Sequence, residues 1–431
     1  MSKNGKILTP LIENDCNLLE NYKKFKGYEA AKKALKMSQD EVIEEVQKSN
    51  LRGLGGAGFP TGRKWAFIPK NSQKPVYLVI NCDESEPGTF KDKYIVSSAT
   101  HVLIEGIIIA SYAIGAHTCY IYIRGEYVEP ARRIEAAIKE AYDAGILGKK
   151  VLGTDFNLDV YVHRGAGAYI CGEETALLNS LEGKKGWPRM KPPFPAIEGL
   201  FRCPTIVNNV ETIAYVPPII QNGPKWFADM GTERSGGMRF YGISGNVNKP
   251  GIYELPVGTP LREMIYEHAG GIPGGKALKC VVPGGVSAPP LRPDEIDVPM
   301  DPDALAKIGT MIGSAGIIVM DEDTNLVEML MASIRFYHHE SCAQCTPCRE
   351  GTGWLDKILQ RMLSGGARER DIDDLYEIGD SIFGNTICPL GDSAGMVAKG
   401  YIDKFRGEFE AYLSKSIAAK SANSPELKKA S

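Results

Sequence analysis

The sequence predicts a multidomain protein of mixed α/β and α+β class. It reads as a parallel sheet with covered faces, then a small α+β unit, then a C-terminal helical domain. Three observations carry this. The chain has 431 residues, which at roughly 150 residues per domain suggests about three domains. Apolar runs of strand type alternate with helical patterns in its N-terminal part. From 325 to 413 the pattern is helical throughout, as in GWLDKILQRML and MVAKGYIDKF.

Residues 38–50 (SQDEVIEEVQKSN) open with a capping box, Ser38 and Glu41, and carry Val42, Ile43 and Val46 as an apolar stripe, which predicts a short helix. A glycine-rich loop follows. PVYLVINCDE (75–84) predicts a strand ending in acids, and 101–114 a buried helix. CYIYIRGE (119–126), a helix at 130–143 and LDVYVH (158–163) continue the alternation. Proline is dense from 187 to 218, which predicts an ordered but irregular wrap. In the second unit MRFYGISG and IYELPVG predict strands joined by the turn NKPG, TPLREMIYEHAGG a helix ending at glycine, and KCVVPGG and AGIIVM further strands. The expected domains are 1–237, 238–325 and 326–413, with a polar, disordered tail at 414–431.

Composition excludes several classes. Hydrophobic residues make up 43% and charged residues 24%, and 50 Lys+Arg against 53 Asp+Glu give a net charge of −3. No strongly basic nucleic-acid binder looks like this, so no nucleic-acid partner is expected. The N-terminus lacks a signal-peptide h-region. The longest apolar stretch, His101 to Ala116, contains Glu105 and is too short to span a bilayer. These features predict a soluble chain from a reducing compartment, where clustered cysteines are metal ligands sooner than disulfides.

Of ten cysteines, Cys342, Cys345 and Cys348 stand at two-residue spacings, and Cys388 lies beyond them. A [4Fe–4S] cluster needs four thiolates around one compact body, and a turning backbone with such spacers can aim three of them. Zinc is the rival, although its structural sites usually draw on two separated Cys pairs. The neighbouring His338 and His339 read as structural. Cys16, Cys82, Cys119, Cys171, Cys203 and Cys280 are scattered among apolar segments and read as core residues.

Three glycine or acidic loops could serve a ligand. Gly53-Leu-Gly55-Gly56-Ala57-Gly58 matches G-x-G-x-x-G but follows a helix, so it is not a Rossmann fingerprint. Its backbone N–H groups can still approach a phosphate or flat ring, and Phe59, Lys64, Trp65 and Phe67 add a cation and stacking surfaces. The acidic turn Asp83-Glu84-Ser-Glu86 follows a strand, where ligands of open α/β sheets bind. Gly165 to Thr175 joins a strand to a helix, with Glu173 and Glu174 suited to hydroxyl or ring-nitrogen contacts. Asn208, Asn209 and Thr212 offer uncharged donors.

Taken together, LRGLGGAGFPTGRKW (51–65), DESEPGTFKDK (83–93), GAGAYICGEETALLNSLEG (165–183), KPPFP (191–195), TIVNNVET (205–212) and ESCAQCTPCREG (340–351) with Cys388 resemble the NADH-oxidising, flavin-bearing subunits of respiratory complex I, the NADH-quinone oxidoreductases. The resemblance covers roughly residues 15–412. It implies a modified Rossmann-like domain for FMN and NADH, a ubiquitin-like β-grasp (SLBB) domain, and a C-terminal helical bundle whose Cys342, Cys345, Cys348 and Cys388 carry one [4Fe–4S] cluster. It implies FMN contacts from Gly53, Gly55, Lys64, Asn81, Asp83, Gly172, Glu173, Asn208, Asn209 and Thr212, with Gly56, Gly58, Gly62, Glu84 and Gly167 as further cofactor-binding candidates. NADH would stack through Phe59, Phe67 and Phe194 and meet Glu86, Glu174 and Lys191. Glu86 and Tyr169 would position hydride transfer. The implied partners are a [2Fe–2S] thioredoxin-like subunit and a multi-cluster subunit, the implied location peripheral on the cytoplasmic side of a bacterial inner membrane. Leu54 departs from the family's usual Arg. The same module in a soluble NAD-reducing hydrogenase or formate dehydrogenase is the nearest alternative.

Overall fold

The computed structural model describes residues 5–70 and 72–422. Its first sheet contains β1 (Tyr77–Cys82), β2 (Thr118–Ile123), β3 (Asp159–Arg164) and β4 (Thr205–Asn209), all parallel, in the order β3-β2-β1-β4. Side chains alternate across a strand, and here they enter two different cores. Leu78, Ile80, Cys119 and Ile121 bury against helices Thr100–Ile114 and Val128–Asp143. Val79, Tyr122 and Val207 bury on the other face, in one core with helix Glu174–Leu181 and the C-terminal helices. The helix Gln39–Lys48 carries the expected capping box of Ser38 and Glu41.

β4 is not among the expected strands. The proline-rich stretch 187–218 reads as an irregular wrap, yet it contains β4 and leads into the helices Val210–Ala214 and Val216–Asn222. The run Thr205-Ile-Val is β-branched throughout and sits beside β1 with Leu78 opposite Ile206. Gly106 admits the helix after β4: a Cβ there would lie 2.3 Å from the carbonyl oxygen of Ile213.

The second sheet contains β5 (Met238–Gly245), β6 (Gly251–Pro256), β7 (Leu278–Val282) and β8 (Gly316–Asp321), in the order β6-β5-β8-β7, with β5 and β8 parallel at its centre. Glu254 on β6 is buried and accepts hydrogen bonds from the backbone N–H of Leu8 and Thr9 (2.8 Å each), tying the N-terminal segment to this unit. The C-terminal part is helical: Leu326–Glu340, Thr346–Leu363, Asp371–Ile382 and Pro389–Ala422. The expected disordered tail is helical from Ser414 to Ala422, and residues 423–431 lie outside the described ones. Among the described residues no single helix is long and apolar enough to cross a membrane.

Candidate active site

Strand order makes the site. β2 and β3 lie on one side of β1 and β4 on the other, so the connections diverge between β1 and β4. Ligands of open parallel sheets bind beyond the carboxyl ends of strands at such a point. Asn81, Asp83 and Asn208 stand there. The Asn81 side-chain amide donates to the Gly172 carbonyl (2.7 Å) and draws the loop after β3 over the crevice. Its Oδ1 accepts from the Asp83 N–H (3.0 Å). Burial pushes the Asp83 carboxyl up to about 7, partly offset by the Ser85 hydroxyl donating to it at 2.6 Å. Near neutral pH Asp83 can therefore donate or accept a hydrogen bond. Asn208 accepts from the Trp65 indole N–H (2.9 Å), which orients its amide.

The glycine loop closes one wall. Gly53 N–H donates to the Phe59 carbonyl (2.8 Å), and Leu54 N–H to the Thr212 hydroxyl (2.8 Å). Gly56 and Gly58 have φ of +134° and +66°, and a Cβ on either would meet nothing within 4 Å, so bare backbone faces open space. Gly55 packs on Asn209, where a Cβ would come within 2.9 Å of the asparagine Cβ. This cradle suits a flat ring or a phosphate.

Two lysines and two glutamates form the mouth. Glu173 caps helix Glu174–Leu181, accepting from the N–H of Thr175 and Ala176 (2.8 and 3.0 Å). Lys64 bonds the Val207 carbonyl (2.8 Å) and Glu174 (3.2 Å), and Lys191 reaches Glu174 (2.8 Å) and Glu173 (3.1 Å). Burial opposes ionisation of Glu174, but the two lysines outweigh it and hold the carboxyl below its ordinary range. Phe59 and Phe67 are exposed with ring centroids 5.8 Å apart, and Phe194 is exposed on the proline-rich segment. Exposed aromatics beside charged groups offer a stacking surface.

Several of the expected cofactor-binding residues also make structural contacts. Glu84 is buried, accepts from the N–H of Asp92 (2.7 Å) and Lys93 (3.0 Å) at the start of helix Lys91–Ser98, and also from Tyr127. A carboxylate so engaged caps a helix. Asn209 uses both ends of its amide: Oδ1 accepts from Lys91 (3.2 Å) and Glu211 N–H (3.0 Å), and Nδ2 donates to Asp92 (2.6 Å). Thr212 is fully buried under Leu54. Gly62 serves helix packing, since a Cβ would lie 2.6 Å from Gln47. Gly167, at φ +81°, turns beside Glu126. Sequence reasoning misses the buried Lys91, which pairs with Asp92 (2.7 Å) and Glu211 (2.9 Å) and organises Asn209. Its signal is FKDK directly after the acidic turn.

Glu86 and Tyr169 do come together. The Tyr169 hydroxyl donates to Glu86, and Phe336 packs edge-on against the Tyr169 ring at 5.0 Å. The Tyr169 N–H donates to Glu340 (3.0 Å), at the end of the helix that leads into the cysteine segment.

Three of the four cysteines stand at the starts of two helices, and Cys342 lies in the segment just before the first of them. Cys345 is the N-cap of Thr346–Leu363, Cys348 lies in its first turn, and Cys388 directly precedes Pro389. The positive ends of helix dipoles favour thiolates there. The thiols sense one another: burial pushes Cys348 up to about 11, with Cys345 and Cys342 adding to it. Burial pushes Cys388 up to about 12, with Glu173, Cys342 and Cys348 contributing. Iron binding must therefore release protons. Among the described residues no three His, Cys, Asp or Glu side chains converge tightly enough for a single metal ion. His338 bonds Thr352 (3.3 Å) and His339 is exposed beside Glu340. The other six cysteines are buried.

Residues 46–218 match the Nuo51 FMN-binding domain, 240–289 the SLBB domain, and 328–412 the NADH-ubiquinone oxidoreductase-F iron-sulfur binding region. The NADH-quinone oxidoreductase F subunit 2 of Rhizobium meliloti (strain 1021) is 53% identical over 400 residues, 93% of this chain and 95% of that one. The F subunit of the same enzyme from Rickettsia bellii (strain OSU 85-389) is 51% identical over 413 residues, 95% and 99% of the two chains. Among solved structures, the NAD+-reducing [NiFe]-hydrogenase in its H2-reduced state superposes with a TM-score of 0.84 at 33% identity, over 95% of this chain and 67% of that one. With about half of all positions identical along nearly its full length, the chain belongs to the family of NADH-quinone oxidoreductase F subunits.

Proposed function

We infer that this chain is the NADH-oxidising subunit of a respiratory complex I, with FMN in the crevice between β1 and β4 and one [4Fe–4S] cluster on Cys342, Cys345, Cys348 and Cys388. The observation that carries the reading is the convergence of the bare glycine loop, Asp83, Asn208 and Glu173 on one switch point, with the thiols of a second domain close enough for Cys388 to sense Glu173. FMN, when bound, accepts two electrons as a hydride and releases them one at a time, which a nicotinamide and an iron–sulfur cluster cannot do for each other.

The protein's own work is binding and alignment. Gly53 to Gly58 offer backbone to the cofactor, and Gly172 keeps the loop after β3 within reach of Asp83. Phe59, Phe67 and Phe194 supply faces for NADH to stack on, and Glu86, held by Tyr169, addresses the polar edge of the nicotinamide. Glu174 would accept a hydrogen bond from the adenosine ribose, with Lys191 and Lys64 balancing its charge. Residues 1–237, 238–325 and 326–413 are read as the flavin, SLBB and cluster domains.

The relatives are subunits by name, so the chain works within a multi-subunit complex. We take its neighbours there to be a [2Fe–2S] thioredoxin-like subunit and a multi-cluster subunit, and its location to be peripheral, on the cytoplasmic side of a bacterial inner membrane. A lone cluster motif supports this, because electrons must leave to further carriers. Anaerobic purification with an absorbance spectrum tests the reading. A flavin band that bleaches on adding NADH, together with cluster absorption, is expected; failure to take up FMN on reconstitution overturns it.

A further inference from the structure

Glu86 is held from a direction that the sequence does not suggest. Its Oε1 accepts two hydrogen bonds from Ser287, one from the backbone N–H (2.8 Å) and one from the hydroxyl (2.7 Å), while Oε2 takes the Tyr169 hydroxyl. Ser287 lies outside the flavin-site elements, on the turn after β7. That turn is moulded to the carboxylate. Gly285 has φ +84°, and a Cβ there would lie 2.6 Å from the Glu86 Cγ and 2.8 Å from its Oε1. Tyr337, fully buried on helix Leu326–Glu340, stands beside both Ser287 and Glu86. Burial pushes the Glu86 carboxyl up, and the donors from Tyr169 and Ser287 draw it back.

We propose that Ser287 is a positioning residue that fixes the Glu86 carboxylate for the nicotinamide end of NADH, so that the second sheet unit sets part of the active-site geometry. The inference rests on the reading of Glu86 given above. A carboxylate with both oxygens fixed by donors from separate units has one rotamer to offer a ligand. Losing the hydroxyl leaves one oxygen with only the backbone donor, and the carboxylate swings.

The test measures binding to the anaerobically purified complex of two ligands, NAD+ and ADP-ribose, which lacks the nicotinamide. Ser287→Ala should weaken NAD+ about ten-fold, as expected for losing a hydrogen bond to a charged group, and leave ADP-ribose unchanged. Ser287→Thr, which keeps the hydroxyl, should restore NAD+ binding. Ser287→Cys, of similar size but a weaker donor, should show the same one-sided loss if the alanine variant does not fold. Ser314→Ala is the control. It removes the hydroxyl contact between Thr89 and Ser314, which also joins this unit to the flavin loop but does not touch Glu86. Equal weakening of both ligands, or a loss for Ser314→Ala that matches Ser287→Ala, makes the effect one of docking and overturns the proposal. Unchanged NAD+ binding in Ser287→Ala alongside a loss in Glu86→Gln overturns it too, and leaves the role of Glu86 standing. Unchanged NAD+ binding in Glu86→Gln removes that role, and the proposal with it.

Discussion

Glu174→Ala should relax the preference for NADH over NADPH. Glu174 is three-quarters buried and flanked by the ammonium groups of Lys64 and Lys191 at 3.2 and 2.8 Å. A 2′-phosphate on the adenosine ribose would enter against this carboxylate. At about 5 Å and an effective dielectric near 20, one unit of like charge costs about 3 kcal/mol before salt screening. Removing the carboxylate relieves most of that repulsion, and Lys64 and Lys191 keep their positive charge beside the phosphate. About 2–3 kcal/mol then shifts toward NADPH, roughly a hundred-fold in relative kcat/KM. NADH itself loses a hydrogen bond to a charged acceptor, worth about 1.5–3 kcal/mol. The assay is steady-state reduction of ferricyanide with each nucleotide, at low and high ionic strength. The gain for NADPH should shrink as salt rises, since its source is charge. An unchanged NADH/NADPH ratio refutes the reasoning and removes Glu174 from the ribose site.

Other outcomes follow from the same geometry. Cys388→Ala should abolish or destabilise the cluster, and a normal cluster signal after anaerobic preparation would end the four-cysteine assignment. Burial raises the Asp83 carboxyl to about 7, so the folded chain binds a proton that the unfolded chain has lost. Its contribution therefore penalises the flavin-free fold increasingly as pH rises from about 4 to about 7, by at most about 4 kcal/mol. Asp83→Asn should raise the thermal midpoint of flavin-free protein more at pH 8 than at pH 5; an equal change at both values would count against the burial argument.

Much of this is legible in the chain, and what is not has physical reasons. Strands β1, β2 and β3 announce themselves as apolar runs between helical segments, and the cysteine spacing announces the cluster. β4 hides because it is five residues long and sits amid prolines that read as irregular. That omission matters, because β4 creates the switch point on which the crevice depends. Glu84 and Asn209 carry side chains suited to ligands, and both also cap helices. Local sequence cannot say whether a carboxylate faces a cavity or the N-terminus of the next helix. Ser287 is invisible for the opposite reason. It is 201 residues from Glu86, and only the folded turn brings them together.

The contacts between the flavin loop and the helical domain bear on the rate at which electrons cross. Electron tunnelling falls exponentially with separation, so a small widening of the gap slows it far more than it weakens any bond. The Trp187 indole N–H donates to the Cys342 carbonyl (3.0 Å), Tyr169 N–H donates to Glu340 (3.0 Å), and Phe336 packs on Tyr169. These three contacts bolt a loop of the flavin crevice to the segment bearing the first cysteine. They hold the loop against that segment, so a change that loosened them would lengthen the gap that electrons would have to cross.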